Sequence, residues 1–273
     1  MIKMFDKDYV FDIELTNGYV FRQIFEIYDR LIVNVIPIYF KENGVTIRTS
    51  SKNNNKEIVS DIEIFTDDII NYYLNPKLAS IPNTKNKKAC HIEQFNINKL
   101  KSIFKSISKS NSVRLYKYSD SEDIVIEIKG VTNEQSVLNK VSYQLIENDI
   151  SSLNNTIEPN VRVDTNQFCT TMKGMSRGDI NLITFRVYDK GLIVIGNNNN
   201  GDKSKFSSWG KIEEEDTNYY ETSIDVNVIK ALCKISGTTF YSIIKIFSNK
   251  SGELRLHHKI SDFGEHNIYL LEH

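Results

Sequence analysis

Ile97-Asn-Lys-Leu-Lys-Ser-Ile-Phe-Lys-Ser-Ile-Ser-Lys109 precedes Val113-Arg-Leu-Tyr-Lys-Tyr118 and Ile124-Val-Ile-Glu-Ile-Lys129. In the first segment Leu100, Ile103, Phe104 and Ile107 fall at i, i+3, i+4 and i+7, one apolar face of a helix. The other two segments alternate and flank the turn-rich Ser119–Asp123, as strands of a hairpin do. The same order of helix, strand, turn and strand recurs three more times. Helices are predicted at Gly18–Leu31, Thr165–Ser176 and Asp225–Ile235, with hairpins over Val33–Thr49, Ile180–Gly196 and Tyr241–Ile260. The four helix starts are 79, 68 and 60 residues apart, so the repeat is one of structure and not of copied sequence.

The polar faces of these helices carry the functional signal. Lys101, Lys105 and Lys109 follow at i, i+4 and i+8 in a helix without a single acid. Solvated helices usually mix both signs, because Glu–Lys pairs one turn apart help them. In the third helix Phe168, Met172 and Met175 form the apolar stripe, Lys173 and Arg177 lie outside it, and Asp164 or Thr165 caps the start. In the fourth Ile229, Leu232, Cys233 and Ile235 point inward, Lys230 and Lys234 form a pair, and Gly237 ends the helix. The first buries Val20, Ile24, Ile27 and Leu31, and its polar side is mixed: Arg22, Gln23, Glu26, Asp29 and Arg30. Acids gather elsewhere, in Ser60-Asp-Ile-Glu63, Asp67-Asp68 and Glu213-Glu-Glu-Asp216. Lysine is common on solvated helices, so two in one turn carry little weight. Three such helices in corresponding places of a repeat point to an anionic partner.

Composition narrows the classes. The chain has 273 residues, 40% of them hydrophobic, enough for one large domain or two ordinary ones. A formal net charge of −1 excludes a strongly basic nucleic-acid binder, while 34 Lys and Arg leave room for a local basic surface. Three widely spaced cysteines, with no CxxC pair, support neither a zinc ribbon nor a disulfide framework. The expected state is reduced thiols in an intracellular setting. The first residues carry charges where a signal peptide needs an apolar run, and no apolar stretch approaches a bilayer span.

Motifs of catalysis do not stand out. Gly196-Asn-Asn-Asn-Asn-Gly201-Asp-Lys203-Ser204 mimics a phosphate-binding loop, but it is one residue too long and no helix pattern follows it. It is expected to be a turn within exposed loop Gly196–Lys211; Asn75–Lys88 is the other long loop expected. Histidines 91, 257, 258, 266 and 273 lack metal-ligand spacing, and His257 and His258, adjacent on a strand, point to opposite faces. No enzyme activity, cofactor or metal is expected. The polar stretch Asn148–Pro159 divides the chain into parts with two units each.

At this level the sequence resembles a eukaryotic or viral sliding clamp of the proliferating cell nuclear antigen (PCNA) type. Leu256-His-His-Lys-Ile-Ser-Asp-Phe-Gly-Glu-His-Asn-Ile-Tyr-Leu270 resembles the family's closing "YKIADMGxLxYYLAP" segment. Phe11-Asp-Ile-Glu-Leu15 with Asn17-Gly18 resembles its opening strand and helix, and Glu42-Asn-Gly-Val-Thr-Ile47 its "SSGVxL". Gly178-Asp179 and Asp189-Lys-Gly-Leu192 resemble "GDxVxIxxxxxGVxF". The resemblance implies an α+β DNA-clamp fold: two similar domains, 1–147 and 161–273, each with two helices packed on antiparallel sheets, joined by a connector at 148–160. It implies a closed homotrimer that encircles double-stranded DNA without sequence preference and tethers DNA polymerase as a replication and repair processivity factor. A clamp loader and other clients would be further partners; a membrane would not. Arg22, Lys101, Lys105, Lys109, Lys173, Arg177, Lys230 and Lys234 are then the DNA-facing cations. Leu153, Ile157, Tyr269 and Leu271 would line the client groove. The sequence departs from the family at Leu271-Glu272-His273 and at Ser50, which stands where an apolar groove residue is expected. The alternative is a clamp-fold scaffold for viral transcription or assembly that does not encircle DNA.

Overall fold

Three times an Asn or Asp closes a strand and opens a helix. The Asn96 side chain accepts the backbone N–H groups of Asn98 and Lys99 at 3.0 and 3.2 Å. Asp164 accepts that of Gln167 at 2.8 Å, and Asp225 that of Asn227 at 2.7 Å. Each satisfies donors that a helix start leaves unpaired. The computed structural model describes residues 8–31, 34–53, 56–65, 69, 71–79, 90–130, 134–138, 158–198, 203–213, 217–237, 243–248, 253–260 and 264–272.

In order, the elements are β1 (Tyr9–Leu15), α1 (Gly18–Arg30), β2 (Val35–Lys41), β3 (Gly44–Asn53), β4 (Lys56–Phe65), β5 (Asn71–Leu74) and β6 (Cys90–Asn96). Then come α2 (Ile97–Phe104), β7 (Ser112–Tyr118), β8 (Ile124–Lys129), β9 (Glu134–Leu138), β10 (Val161–Asp164) and α3 (Thr165–Met175). The rest are β11 (Ile180–Val187), β12 (Gly191–Asn198), β13 (Lys203–Gly210), β14 (Tyr220–Asp225), α4 (Val226–Leu232), β15 (Ile243–Ser248), β16 (Glu253–Ile260) and β17 (Gly264–Glu272). The repeated unit is real: each helix is followed by an antiparallel hairpin, β2–β3, β7–β8, β11–β12 or β15–β16. The class is α+β.

The chain forms two compact units, Met1–Phe25 with Asn34–Arg48 and Ile62–Leu145, and Glu26–Val33 with Thr49–Asp61 and Ile146–His273. In the first, one sheet runs β5-β1-β7-β8-β9 and a second β6-β2-β3-β4. Phe11 of β1 stacks on Phe40 of β2 at 3.9 Å between centroids, and Phe25 of α1 stacks on Phe104 of α2 at 4.9 Å. Its buried charges are paired: Glu93 meets His91 at 2.7 Å and Lys117 at 2.6 Å. Burial pushes the Glu93 carboxyl up, but those two hydrogen bonds and charges hold it below its ordinary value. In the second unit the sheet β13-β12-β11-β14 backs α3 and α4, with Phe168 of α3 set against Phe185 and Trp209. There β10-β15-β16-β17 continues into the first half of β4.

Three expectations need correction. The second helix stops at Phe104, and Lys109 lies beyond it. Ser102 and Ser106 donate back to the carbonyls of Lys99 and Ile103, and the Asn111 side chain takes the Ser108 N–H, so the serine-rich end prefers local turns to further helix. The fourth helix ends at Leu232 and continues as a 3-10 helix, Cys233–Gly237. The expected loop Gly196–Lys211 is largely strand: β12 reaches Asn198, and β13 pairs along it with Trp209 opposite Leu192. Its serines hide the alternation because an edge strand packs only part of one face. Residues 80–89 and 139–157 lie outside the described ones, as does His273. Among the described residues no helix is long and apolar enough to cross a membrane.

The second unit buries a polar line. His266 Nε2 lies 2.8 Å from Ser60 Oγ, which donates to the Tyr28 hydroxyl at 3.3 Å, and His258 packs 4.9 Å from His266. These imidazoles lie on strands β16 and β17 and are interior. Burial pushes both down, His266 to about 3 and His258 in the same direction, with neighbouring imidazoles adding to it. Unfolded, both take a proton near pH 6.5. The unfolded chain therefore binds more protons between about pH 6.5 and 3, and stability falls as pH falls through that window. The unfolding free energy from urea titration, and with it the midpoint, should decline from pH 7 to pH 5, by up to about 1.4 kcal/mol per pH unit for each histidine. His258→Gln should flatten the decline; a wild-type midpoint level across that range would contradict it.

Candidate nucleic-acid interface

In the first unit, the cations of α1 and of the segment after α2 converge on one aromatic ring. Arg22 lies one turn after Tyr19 on α1, its guanidinium carbon 5.9 Å from the Tyr19 centroid. The Lys109 ammonium lies 5.7 Å from the same centroid. Both distances are within reach of a cation–π attraction. Arg22 also donates to the carbonyls of Lys105 at 3.1 Å and Ile107 at 3.3 Å, where α2 ends. That places positive charge at the negative end of the α2 dipole. Lys101 and Lys105, one turn apart, are exposed on the side of α2 opposite buried Leu100 and Phe104. Arg22, Lys105 and Lys109 are thus brought together, though Lys109 arrives from a turn instead of a helix.

The second unit contains Lys173, Arg177, Lys230 and Lys234. Lys173 is exposed on α3, Arg177 follows its end, and Lys230 is exposed on α4. Lys234 is half-buried and forms an ion pair with Glu26 at 2.9 Å. Glu26 belongs to the mixed polar side expected for α1, and it offsets this cation of the second unit. The buried Cys233 thiol is pushed up by its hydrogen bond to Cys169 and by burial, while Lys173 and Arg30 pull the other way. Arg30 therefore shares this neighbourhood with Lys173. Sequence reasoning passed over Arg30 and Tyr19, since one sat on a mixed face and the other carries no charge. Gln23, expected on the polar side of α1, is buried.

The residues expected to line a client groove are partly described. Tyr269 is buried with Val59, and half-buried Leu271 packs against that pair. Ser50 is exposed. Leu153 and Ile157 lie outside the described residues. Among the described residues no group of three or more His, Cys, Asp or Glu could hold a metal ion.

Comparison with solved structures decides the fold. The proliferating cellular nuclear antigen of Entamoeba histolytica superposes with a TM-score of 0.75 at 11% identity, over 97% of this chain and 99% of that one. The PCNA2–PCNA3 complex of Sulfolobus tokodaii gives 0.72 at 15% identity, over 95% and 98%. This chain has the PCNA-type clamp fold. No protein-family model matches it, and no curated protein matches it by sequence.

Within the clamp fold the cations divide into those that hold structure and those that face outward. Arg22→Ala removes two bonds to carbonyls at the end of α2 and should cost about 1–2 kcal/mol in urea unfolding. Lys105→Ala, at an exposed site, should stay within about 0.5 kcal/mol. Equal costs for the two would refute that division.

Proposed function

We propose that this chain is a non-catalytic sliding clamp that encircles duplex DNA as a closed homotrimer and tethers a DNA polymerase. The observation that carries the reading is the exposure of Lys101, Lys105, Lys173 and Lys230 on or at the ends of helices in both units, within a clamp fold that spans nearly the whole chain. Contacts of this kind are to phosphates, so they hold the duplex without reading its sequence and weaken with salt.

Ring size favours three copies. At roughly 8–10 Å between packed helices, eight helices close a circle of only about 23 Å, axis to axis, and side chains fill much of it. Twelve give roughly 34 Å, leaving room for duplex and water. Head-to-tail contacts close such a ring by symmetry. Edge strand β13 offers a joint: Phe206 on it is 68% exposed, and pairing would protect its unpaired edge. The client groove around Tyr269 and Leu271 belongs to this reading, as does intracellular replication.

Lys101→Glu with Lys105→Glu should weaken duplex binding and lower the salt slope by about 2, roughly 0.9 for each phosphate no longer neutralised. Glu26→Gln, which releases Lys234, should instead strengthen binding and steepen the slope by about 1. Unchanged affinity and slope in both variants would favour the scaffold that does not encircle DNA. So would a single-chain mass at micromolar protein, with and without DNA, in sedimentation equilibrium.

A further inference from the structure

The outer face of the sheet β5-β1-β7-β8-β9 carries a tyrosine cluster with no part in the clamp reading. Tyr9 and Tyr118 are paired across β1 and β7 and stack with centroids 5.0 Å apart and planes 27° apart. Tyr116 meets both edge-on, at 5.8 and 5.3 Å. A bulge between Tyr9 and Phe11 accompanies the seating of Tyr9 among them. Beside the cluster, Tyr73 of β5 is 44% exposed and stands opposite Asp12. Leu78, in the turn that Asn75 ties to the Val10 carbonyl at 2.9 Å, is 41% exposed. These are two of the three exposed large hydrophobic residues among the described residues of this unit.

The surroundings are acidic. The β7–β8 turn carries Asp120, Glu122 and Asp123, and its Ser119 N–H donates to the Asp8 carbonyl at 2.8 Å, which brings a fourth acid to the same end. Exposed Lys77 is the opposing charge in the neighbouring turn. Lys117 is buried with Glu93 on the other face of the sheet. The rings already accept a cation: the Arg114 guanidinium carbon lies 5.7 Å from the Tyr9 centroid and 4.8 Å from that of Tyr116. Arg114 adds no free positive charge, because Asp12 takes it through two bonds of 2.8 and 2.7 Å and Glu127 lies 3.7 Å away.

We propose that this face docks a Lys/Arg-bearing segment of a partner protein. Its basic side chains pair with the carboxylates of the turn, and its stems cover Tyr73 and Leu78. Tyrosine and arginine are favoured in interface centres, and electron-rich rings beside carboxylates select cations over other apolar partners. The occupant is a protein segment and not the duplex, since phosphates are repelled from a rim where, among the described residues, acids outnumber bases.

A labelled nona-arginine peptide tests this by fluorescence anisotropy on the whole chain. Asp120→Lys with Glu122→Lys should weaken binding about tenfold, as expected for reversing two exposed carboxylates. Tyr73→Ser with Leu78→Ser, which leaves every charge in place, should weaken it about fivefold, because the peptide's stems no longer have an apolar ring and side chain to cover. Asp179→Lys, in the other unit, should change nothing. An equal loss in Asp179→Lys would show general charge attraction and overturn the proposal, as would an unchanged affinity in Tyr73→Ser/Leu78→Ser. A fall in oligomeric mass in that double variant would assign the patch to a second copy of this chain and would also overturn it.

Discussion

Phe25 of α1 stacks on Phe104 of α2 at 4.9 Å, and Phe21 reaches Phe104 at 6.2 Å. The three rings are almost wholly buried, and burying each is worth about 1.5–3 kcal/mol. Once that seam is made, rotation of either helix is closed off, because turning α2 would pull Leu100 and Phe104 out together. The polar side of α2 is then fixed as the side that carries Lys101 and Lys105. In the second unit Phe168, Met172 and Met175 do the same for α3, leaving Lys173 outward. The charge pattern of the surface is thus a consequence of core packing, with no separate device needed to aim the lysines.

A near-neutral chain gains a local field in this way, and the field is tempered from inside. Lys234 is held by Glu26, while Arg22 is drawn to the carboxyl end of α2. Both interactions use charge to hold helix ends and neighbours in place. Cations that remain on exposed faces, such as Lys105, Lys173 and Lys230, have long flexible stems and adapt to a phosphate path more readily than a buried pair would. In the clamp function proposed above that tolerance would matter, because every register along a duplex must then be nearly equal in energy.

How much of this the sequence revealed depended on the strength of each periodicity. Helix α2 was legible from Leu100, Ile103 and Phe104, and the hairpin β11–β12 from its alternation around Asp189-Lys-Gly191. The early end of α2 was not, because a Ser-rich tail with Lys at every fourth place reads as helix until serine hydroxyls compete for its carbonyls. Strand β13 was not, because Ser204, Ser207 and Ser208 offer no apolar rhythm and its pairing comes from the backbone of β12. For the site, charge type could be read and contact could not: nothing in the one-dimensional pattern joins Glu26 to Lys234, 208 positions later. Tyr19 was passed over for the same reason, since its role depends on Lys109 folding back from a turn.

The fold is kept at 11–15% identity because most positions answer only to burial. Ile, Val, Leu and Phe exchange at little cost if volume and pattern survive. Identity is demanded where the backbone itself is crowded. Gly44 adopts φ 139°, and a Cβ there would collide with the Ile64 carbonyl. At Gly191 a Cβ would run into Ile212 and come within 2.9 Å of the Lys211 carbonyl oxygen. These glycines sit in two of the short motifs that carry the resemblance, Glu42-Asn-Gly-Val and Asp189-Lys-Gly-Leu. Substitution at such turns is therefore limited by the backbone itself, whereas a core position in a strand or helix is limited only by volume and pattern.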